Sequence, residues 1–383
     1  MKKILFSLCF FLLFFLCPYH TINSLAAETP SGLYAKAAIL LDGENQRVLF
    51  GKKEKTKLPM ASTTKIMTCL YTLEHGNLND VVTFSKTAAS APKVHLGARE
   101  GSQFLLSDLL YALMLESYND AAVAIAEHIG GSVEAFCQAM TEEARDFGCY
   151  QTSFATPNGL DSPKHYTTCY DLAILTSHAL ANPEFRKIIR EPSYSIREMT
   201  GGQTWNLQNK DAFLSSYPGA IGVKTGFTNK AGYCFVGAVE TGDRLLISVV
   251  LGSGWPPNRS YKWTDTRKLM DYGQKNFTEK TISLAQNIPS ALPVTLGQKT
   301  RCSLLAPSSV RLLLGQNEKI EVTTDVPSML TAPLRRGDCI GTVTLSIDGE
   351  VYRKYPVHAD TSIQKINYPF CFRKMSALFF LGQ

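Results

Sequence analysis

The sequence predicts an α+β fold: an antiparallel sheet with a cluster of helices inserted between its first and last strands, followed by a small all-β domain. Three observations carry this. Apolar residues recur at helical spacing between residues 62 and 181. From residue 215 the texture changes to β-rich runs separated by glycine turns. From about 278 helical periodicity vanishes and short strands remain.

In chain order, residues 37–50 (AAILLDGENQRVLF) are two apolar runs about Asp42-Gly43-Glu44-Asn45, a hairpin. Ser62 to Glu74 is a helix, because Ile66, Cys69, Leu70 and Leu73 fall on one face and Gly76 ends it. Leu105 to Glu116 is a strongly apolar helix that breaks at Ser117-Tyr118-Asn119. Asp120 reads as the cap of a buried helix, Ala121 to Ile129, closed by Gly130-Gly131. Further helices run from Ser132 to Phe147 and from Asp171 to Ala181. Ala220 to Lys224, Ala231 to Val239 and Leu245 to Leu251 are the later strands of the sheet. Val310 to Leu314, Ile320 to Thr324, Gly341 to Ile347 and Val351 to Val357 are the short strands, with a tight turn at Ile347-Asp348-Gly349-Glu350.

The chain has 383 residues, of which 45% are hydrophobic and 19% charged, enough for two domains and a sizeable core. Met1-Lys2-Lys3, an apolar run from Ile4 to Cys17 and small residues at Ser24-Leu25-Ala26 read as a secretory signal peptide over residues 1–26. The run is shorter than the roughly 20 residues a spanning helix needs. Removing it lowers the formal charge from +6 to +4, with no Lys/Arg stripe, so nucleic acid is not an expected partner. Eight cysteines remain, with no CxxC pair, and most lie in apolar patterns as small hydrophobes. The seven histidines show no ligand spacing, so neither a metal nor another cofactor is expected.

Three clusters carry chemistry. Ser62 and Lys65, in MASTTKIMT, put a hydroxyl and an amine on one side of a helix start. A serine needs a base within reach, and a lysine serves only if burial or a second cation lowers its proton affinity. Two other S-x-x-K pairs, Ser90/Lys93 and Ser362/Lys365, lack that context. Ser117 and Asn119 sit at the break between two buried helices, as a proton relay and an amide anchor or as nothing more than a turn. Lys224-Thr225-Gly226 ends a strand, where it holds a substrate carboxylate and lets a substrate backbone approach, or is a solvated strand end. Together, S-x-x-K, S-x-N and K-T-G follow one another 55 (117−62) and 107 (224−117) residues apart. That order is the one found in penicillin-binding proteins and class A β-lactamases, with S-D-N in the middle.

On these motifs the chain resembles the low-molecular-mass penicillin-binding proteins, the serine D-alanyl-D-alanine carboxypeptidases of peptidase family S11. The likeness runs from about 32 to 360 and includes LPMASTTKIMT, ESYNDAAVAIAEHIGGS, TSFATPNGLD, YPGAIGVKTGFTNKAGYCFVGA and APLRRGDCIGTVTL. Pro157-Asn158-Gly159-Leu160 departs from the NPHGL common in that family and receives no catalytic role. The resemblance implies a β-lactamase/transpeptidase-like domain over 27–277, a β-rich domain over 278–360 and a basic, apolar tail over 361–383 that touches the membrane. It implies that Ser62 is acylated, Lys65 accepts its proton, and Ser117 relays a proton with Asn119 beside it. Lys224 and Thr225, with Gly226, hold the substrate carboxylate, and the N–H groups of Ser62 and Phe227 form the oxyanion hole.

The implied substrates are peptidoglycan stem peptides, with β-lactams as covalent inhibitors, outside the cytoplasmic membrane. Rival readings are a DD-endopeptidase, a β-lactamase and an inactive wall-binding scaffold. A class A β-lactamase adds a glutamate in an E-x-x-L-N segment. Glu191-Pro192-Ser193-Tyr194-Ser195 is only faintly similar and lies 72 (191−119) residues beyond Asn119.

Overall fold

A computed structural model describes residues 29–380. The expected signal peptide lies outside the described residues.

The central sheet joins the two ends of the first domain. Strand β1 (Ala37–Asp42) pairs with β2 (Val48–Lys52) on one side and with the last strand, β9 (Arg244–Leu251), on the other. Strands β7 (Ala220–Thr228) and β8 (Gly232–Thr241) complete the antiparallel order β2-β1-β9-β8-β7. Alternation along β1 explains its unbroken apolar run: Ile39 and Leu41 face one core, Ala38 and Leu40 another. Both faces are covered, so every residue of AAILLD is buried.

One face carries the helical cluster. A 3-10 turn, Ala61–Thr64, leads into α1 (Lys65–His75). After a small β3 (Val81–Thr83) and β4 (Gln103–Leu105) ribbon, with α2 (Lys86–Ala89) between them, comes α3 (Leu106–Tyr111). Helix α3 widens into a π turn over Ala112–Glu116, and α4 (Asn119–Gly130) and α5 (Val133–Asp146) follow. Helices α6 (Cys169–Ala181) and α7 (Pro183–Arg190), the β5 (Ser193–Arg197) and β6 (Thr204–Gln208) hairpin and α8 (Phe213–Ser216) close the insertion.

Two expectations are adjusted here. Helix α4 starts at Asn119, with Tyr118 at its N-cap, so Asp120 lies inside the first turn and its carboxylate reaches a neighbouring loop. A helix absent from the sequence reading, α9 (Tyr261–Asn276), covers the opposite face of the sheet with Leu269 and Met270 against Leu40, Phe235 and Val250. The six cysteines from Cys69 to Cys302 are buried, as their apolar context suggested, whereas Cys339 and Cys371 are exposed.

Helix α9 runs directly into β10 (Phe277–Ser283), which pairs with β13 (Ser309–Gly315). A six-stranded sheet follows, built from β11 (Ala291–Thr295), β12 (Arg301–Leu305), β14 (Ile320–Asp325), β15 (Leu330–Thr331), β16 (Cys339–Ile347) and β17 (Glu350–Ala359) in the order β14-β16-β17-β12-β11-β15. Pairing continues past 360, because Ile363 bridges Leu334 and Lys365 bridges Gly297. The β1–β2 turn docks on these strands: Arg47 donates to Leu313 O and pairs with Glu318, while Tyr352 OH and Arg353 Nη2 donate to Asn45 O. The terminal helix α10 (Tyr368–Phe380) exposes Phe372, Met375, Leu378 and Phe379. No helix among the described residues is long and apolar enough to cross a membrane.

Asp265 fastens the start of the domain to α9. Fully buried, it accepts from Tyr34 N–H (3.0 Å), Ala35 N–H (2.7 Å) and Ser253 Oγ (2.7 Å). Asp265→Ala leaves these donors unpaired and is expected to lower unfolding stability by about 3 kcal/mol. A urea midpoint unchanged in the variant would remove this residue from the fold's essential contacts.

Candidate active site

The serine turn is a strained piece of backbone held by its neighbours. Ala61 has φ of 49°, a left-handed conformation that costs a non-glycine residue roughly 1–2 kcal/mol. Thr63 Oγ1 donates to Met60 O (2.6 Å) and Thr64 Oγ1 to Ala61 O (2.9 Å), closing the turn. Buried His165 supports it from below. Its Nδ1 accepts from Ala155 N–H (3.1 Å), so Nε2 carries the proton and donates to Thr64 Oγ1 (2.7 Å). Burial, with the Lys65 charge adding to it, pushes His165 down to about 4 and keeps the ring neutral. The turn leaves Ser62 half-buried, while Lys65 is fully buried.

Lys65 Nζ has three partners: Asn158 O at 2.7 Å, Asn119 Oδ1 at 2.8 Å and Ser62 Oγ at 3.1 Å. The first two are acceptors only. Asn119's amide is oriented by its own Nδ2, which donates to Pro92 O (3.1 Å). A neutral amine has two N–H donors and one lone pair. In the neutral form the two amide oxygens take both donors and the lone pair is free for the Ser62 hydroxyl; in the ammonium form all three oxygens accept from it. Burial holds Lys65 well below the ordinary lysine range; the Lys224 charge works in the same direction and Asp120 against it. Burial therefore favours the neutral amine, which lies within hydrogen-bond reach of Ser62 Oγ.

The Asn158 carbonyl was missed in the sequence, where this stretch received no role. Thr68 Oγ1 ties the same loop to α1 through Pro157 O (2.6 Å). The loop fits only because Gly159, at φ of +89°, has no Cβ: one placed there would lie 2.0 Å from Ala61 O. A backbone carbonyl leaves no side-chain signature, so Gly159 was the one available sign.

The second cluster comes from the π turn. Ser117 ends it in the left-handed region (φ 66°, ψ 32°), and its Oγ is buried with no hydrogen-bond partner among the described residues. Asn119 N–H donates to Val94 O (2.8 Å), and the Asp120 carboxylate accepts from Leu96 N–H (2.8 Å) and Gly97 N–H (2.9 Å). The corner after Ser117 thus holds the 92–97 loop beside the serine turn.

The third cluster lies on β7, the edge strand, which packs on the serine turn. A Cβ on Gly226 would lie 2.9 Å from Ser62 N and 3.1 Å from Thr63 N. This glycine thus permits a close approach to the chain's own serine turn. Thr225 is half-buried, and Phe227 is exposed beside Tyr233, ring centroids 4.6 Å apart. Lys224 is buried, with one hydrogen bond among the described residues, to Thr225 O at 3.2 Å. Burial pushes it down to about 7, against the pull of Asp211.

Comparison with known proteins agrees with this geometry. Residues 24–254 match the peptidase S11 family, described as D-alanyl-D-alanine carboxypeptidase. The chain belongs to this family. Residues 277–365 match the C-terminal domain of penicillin-binding protein 5. Among relatives of the S11 carboxypeptidase, DacF of Bacillus subtilis is 30% identical over 342 residues, 87% of each chain. DacC of Escherichia coli is 31% identical over 362 residues, covering 90% of this chain and 88% of that one. The crystal structure of penicillin-binding protein 5 from Haemophilus influenzae superposes with a TM-score of 0.76 at 26% identity, covering 88% and 99% of the two chains. The antiparallel sheet, helical cluster and all-β domain expected from the sequence are thus the fold of this family.

The other two S-x-x-K serines are committed elsewhere. Ser90 Oγ donates to Lys86 O (2.7 Å), and Ser362 Oγ accepts from Arg336 N–H (2.9 Å). Gly159→Ala tests the loop that holds Lys65. The added Cβ pushes the Asn158 carbonyl off the amine, and a misplacement of this kind costs on the order of 100-fold in rate. The second-order rate of labelling by a fluorescent penicillin is the measurement; a rate within threefold of wild type would contradict the assignment of that carbonyl.

Proposed function

We propose that this chain removes the terminal D-alanine from peptidoglycan stem peptides through an acyl-ester on Ser62. The observation that carries this reading is the buried Lys65 amine, held by Asn119 Oδ1 and Asn158 O within 3.1 Å of Ser62 Oγ. Ser62 Oγ attacks the carbonyl between the two D-alanines while its proton passes to Lys65 Nζ. The N–H groups of Ser62 and Phe227 stabilise the oxyanion. The Ser117 hydroxyl, with no hydrogen-bond partner among the described residues, hands its proton to the departing amine as the C–N bond breaks and takes in return the proton that Lys65 holds, which leaves the Lys65 amine neutral again. Lys224 and Thr225 hold the terminal carboxylate, for which the ammonium has unused donors. Water then attacks the ester carbonyl while Lys65 takes its proton, and as the acyl C–Oγ bond breaks that proton returns to Ser62 Oγ, restoring both groups.

A β-lactam presents a carboxylate and a strained amide in the same relation and acylates the same serine. Rapid release of that ester would need a carboxylate to activate water. No hydrogen bond of Ser62 or Lys65 among the described residues goes to a carboxylate, which disfavours a β-lactamase. The enzyme works outside the cytoplasmic membrane, given the leader read in residues 1–26.

The decisive assay is release of D-alanine from diacetyl-Lys-D-Ala-D-Ala by the mature chain. Release is expected to stop in Ser62→Ala and with penicillin. Labelling of Ser62 without release would point instead to a cross-linked peptide as substrate.

The terminal helix supports peripheral membrane contact. Its 13 residues expose Phe372, Met375, Leu378 and Phe379 beside Arg373 and Lys374. At about 20 Å it can lie in the interface, where so short a segment binds weakly. A chain ending at Asn367 keeps the strand pairing and is expected to lose sedimentation with anionic vesicles. Equal partitioning of both chains would remove the tail from any membrane role.

A further inference from the structure

We propose that Glu74, His75 and Glu143 form a zinc site that ties the C-terminal end of α1 to α5. It lies outside the three motifs and does not depend on the reading of the cleft.

One oxygen from each glutamate and one ring nitrogen of His75 lie within 4.8 Å of one another, the one such cluster among the described residues. Glu74 and His75 are the last two residues of α1, which ends at Gly76, and Glu143 comes from α5. His75 Nε2 is 2.7 Å from Glu143 Oε2. The imidazole is held there against Tyr71, ring centroids 4.2 Å apart, and Tyr71 in turn packs edge-on against Phe136 of α5. Glu74 and His75 are exposed, so an ion reaches them from solvent. A tetrahedral zinc ion sets its donor atoms about 3.3 Å apart, so the three ligands close in by roughly an ångström and water takes the fourth position. The sequence carries no signature of the site. Glu143 stands 68 residues beyond His75, and only the packing of α5 on α1 brings them together.

The cluster is short of positive charge. Glu143 Oε1 is sealed from solvent and accepts from no donor among the described residues. Neither glutamate pairs with a lysine or arginine there; the ion pair of this cluster is that of Glu143 with His75. Two carboxylates thus stand together at the C-terminal end of a helix, where unpaired carbonyls already favour a cation. Burial, with the Glu143 carboxylate adding to it, raises Glu74 to about 7. A divalent ion between the two glutamates would neutralise both. The imidazole nitrogen selects which ion: zinc takes nitrogen and oxygen together, whereas magnesium and calcium prefer oxygen alone.

The test is calorimetric titration of the untagged, chelator-treated mature chain with zinc chloride near neutral pH, repeated with magnesium and calcium, and thermal melting alongside. One zinc ion per chain is expected, with a rise in melting temperature, and neither magnesium nor calcium binds at the same concentrations. His75→Ala and Glu143→Gln are each expected to weaken zinc by about tenfold or more, since even the outer partners of metal sites are worth that much. Both lose the rise in melting temperature. His128→Ala, which removes the exposed pair with Asp80, is the control and keeps binding and rise alike. Absent zinc binding, binding that survives in both variants, or binding matched by calcium would overturn the proposal. So would variants that melt lower by the same amount with zinc and with EDTA, because the cluster would then be a plain contact between helices. Should a variant not fold, wild type alone decides. Zinc is expected to protect His75, and not His128, from diethylpyrocarbonate, read by peptide mass spectrometry; equal modification of His75 with and without zinc overturns the assignment.

Discussion

One buried amine holds the catalytic cleft together. Lys65 Nζ gathers oxygens from three distant stretches, Ser62, Asn119 and Asn158, all within 3.1 Å. Each belongs to a different element: the serine turn, the start of α4 and the 156–160 loop. Displacing any of them would leave a buried polar group without its partner, at a cost of about 1–3 kcal/mol. The same burial depresses the amine's proton affinity, because a neutral amine is far cheaper to sequester than an ammonium. What makes Lys65 a structural pin and what makes it a base are one physical condition.

The backbone around the pin is bent to suit. Ala61 and Ser117 both occupy left-handed conformations without being glycine. Such strain persists only where the surroundings over-determine it. At Ala61 the surroundings are Thr63, Thr64 and His165, a chain of hydrogen bonds ending at Ala155 N–H. Two glycines then let neighbouring backbone close in on this turn, Gly159 from the loop and Gly226 from β7. The serine is aimed by main chain pressed on main chain, which makes its position insensitive to side-chain motion.

This division explains what could be read in advance. Strands buried on both faces, such as AAILLD, declare themselves by composition, and α1 by its spacing of Ile66, Cys69 and Leu70. Ser62, Lys65 and Asn119 were legible because their chemistry resides in side-chain type and order along the chain. The Asn158 carbonyl was not, since any residue supplies one. Helix α9 was missed because its buried face carries Asp265, Thr266 and Gly273 beside only two large apolar side chains, Leu269 and Met270. Gly226 was recognised as a point of close approach, but what approaches it is decided by tertiary packing alone.

The two buried lysines share a residue type and differ in company. Lys65 is surrounded by neutral acceptors that consume its donors, and the nearest carboxylate, Asp120, is turned away into the N–H groups of Leu96, Gly97 and Ala121. Lys224 has a single carbonyl and unused donors. Its positive charge adds to burial in lowering the proton affinity of Lys65. On the reading that a substrate carboxylate settles on Lys224, its arrival cancels much of that field. Lys65 then becomes a stronger base just when Ser62 must give up its proton. Substrate binding and base activation are thereby linked through charge alone, with no movement of either lysine, and a ligand lacking the carboxylate would occupy the cleft without strengthening the base.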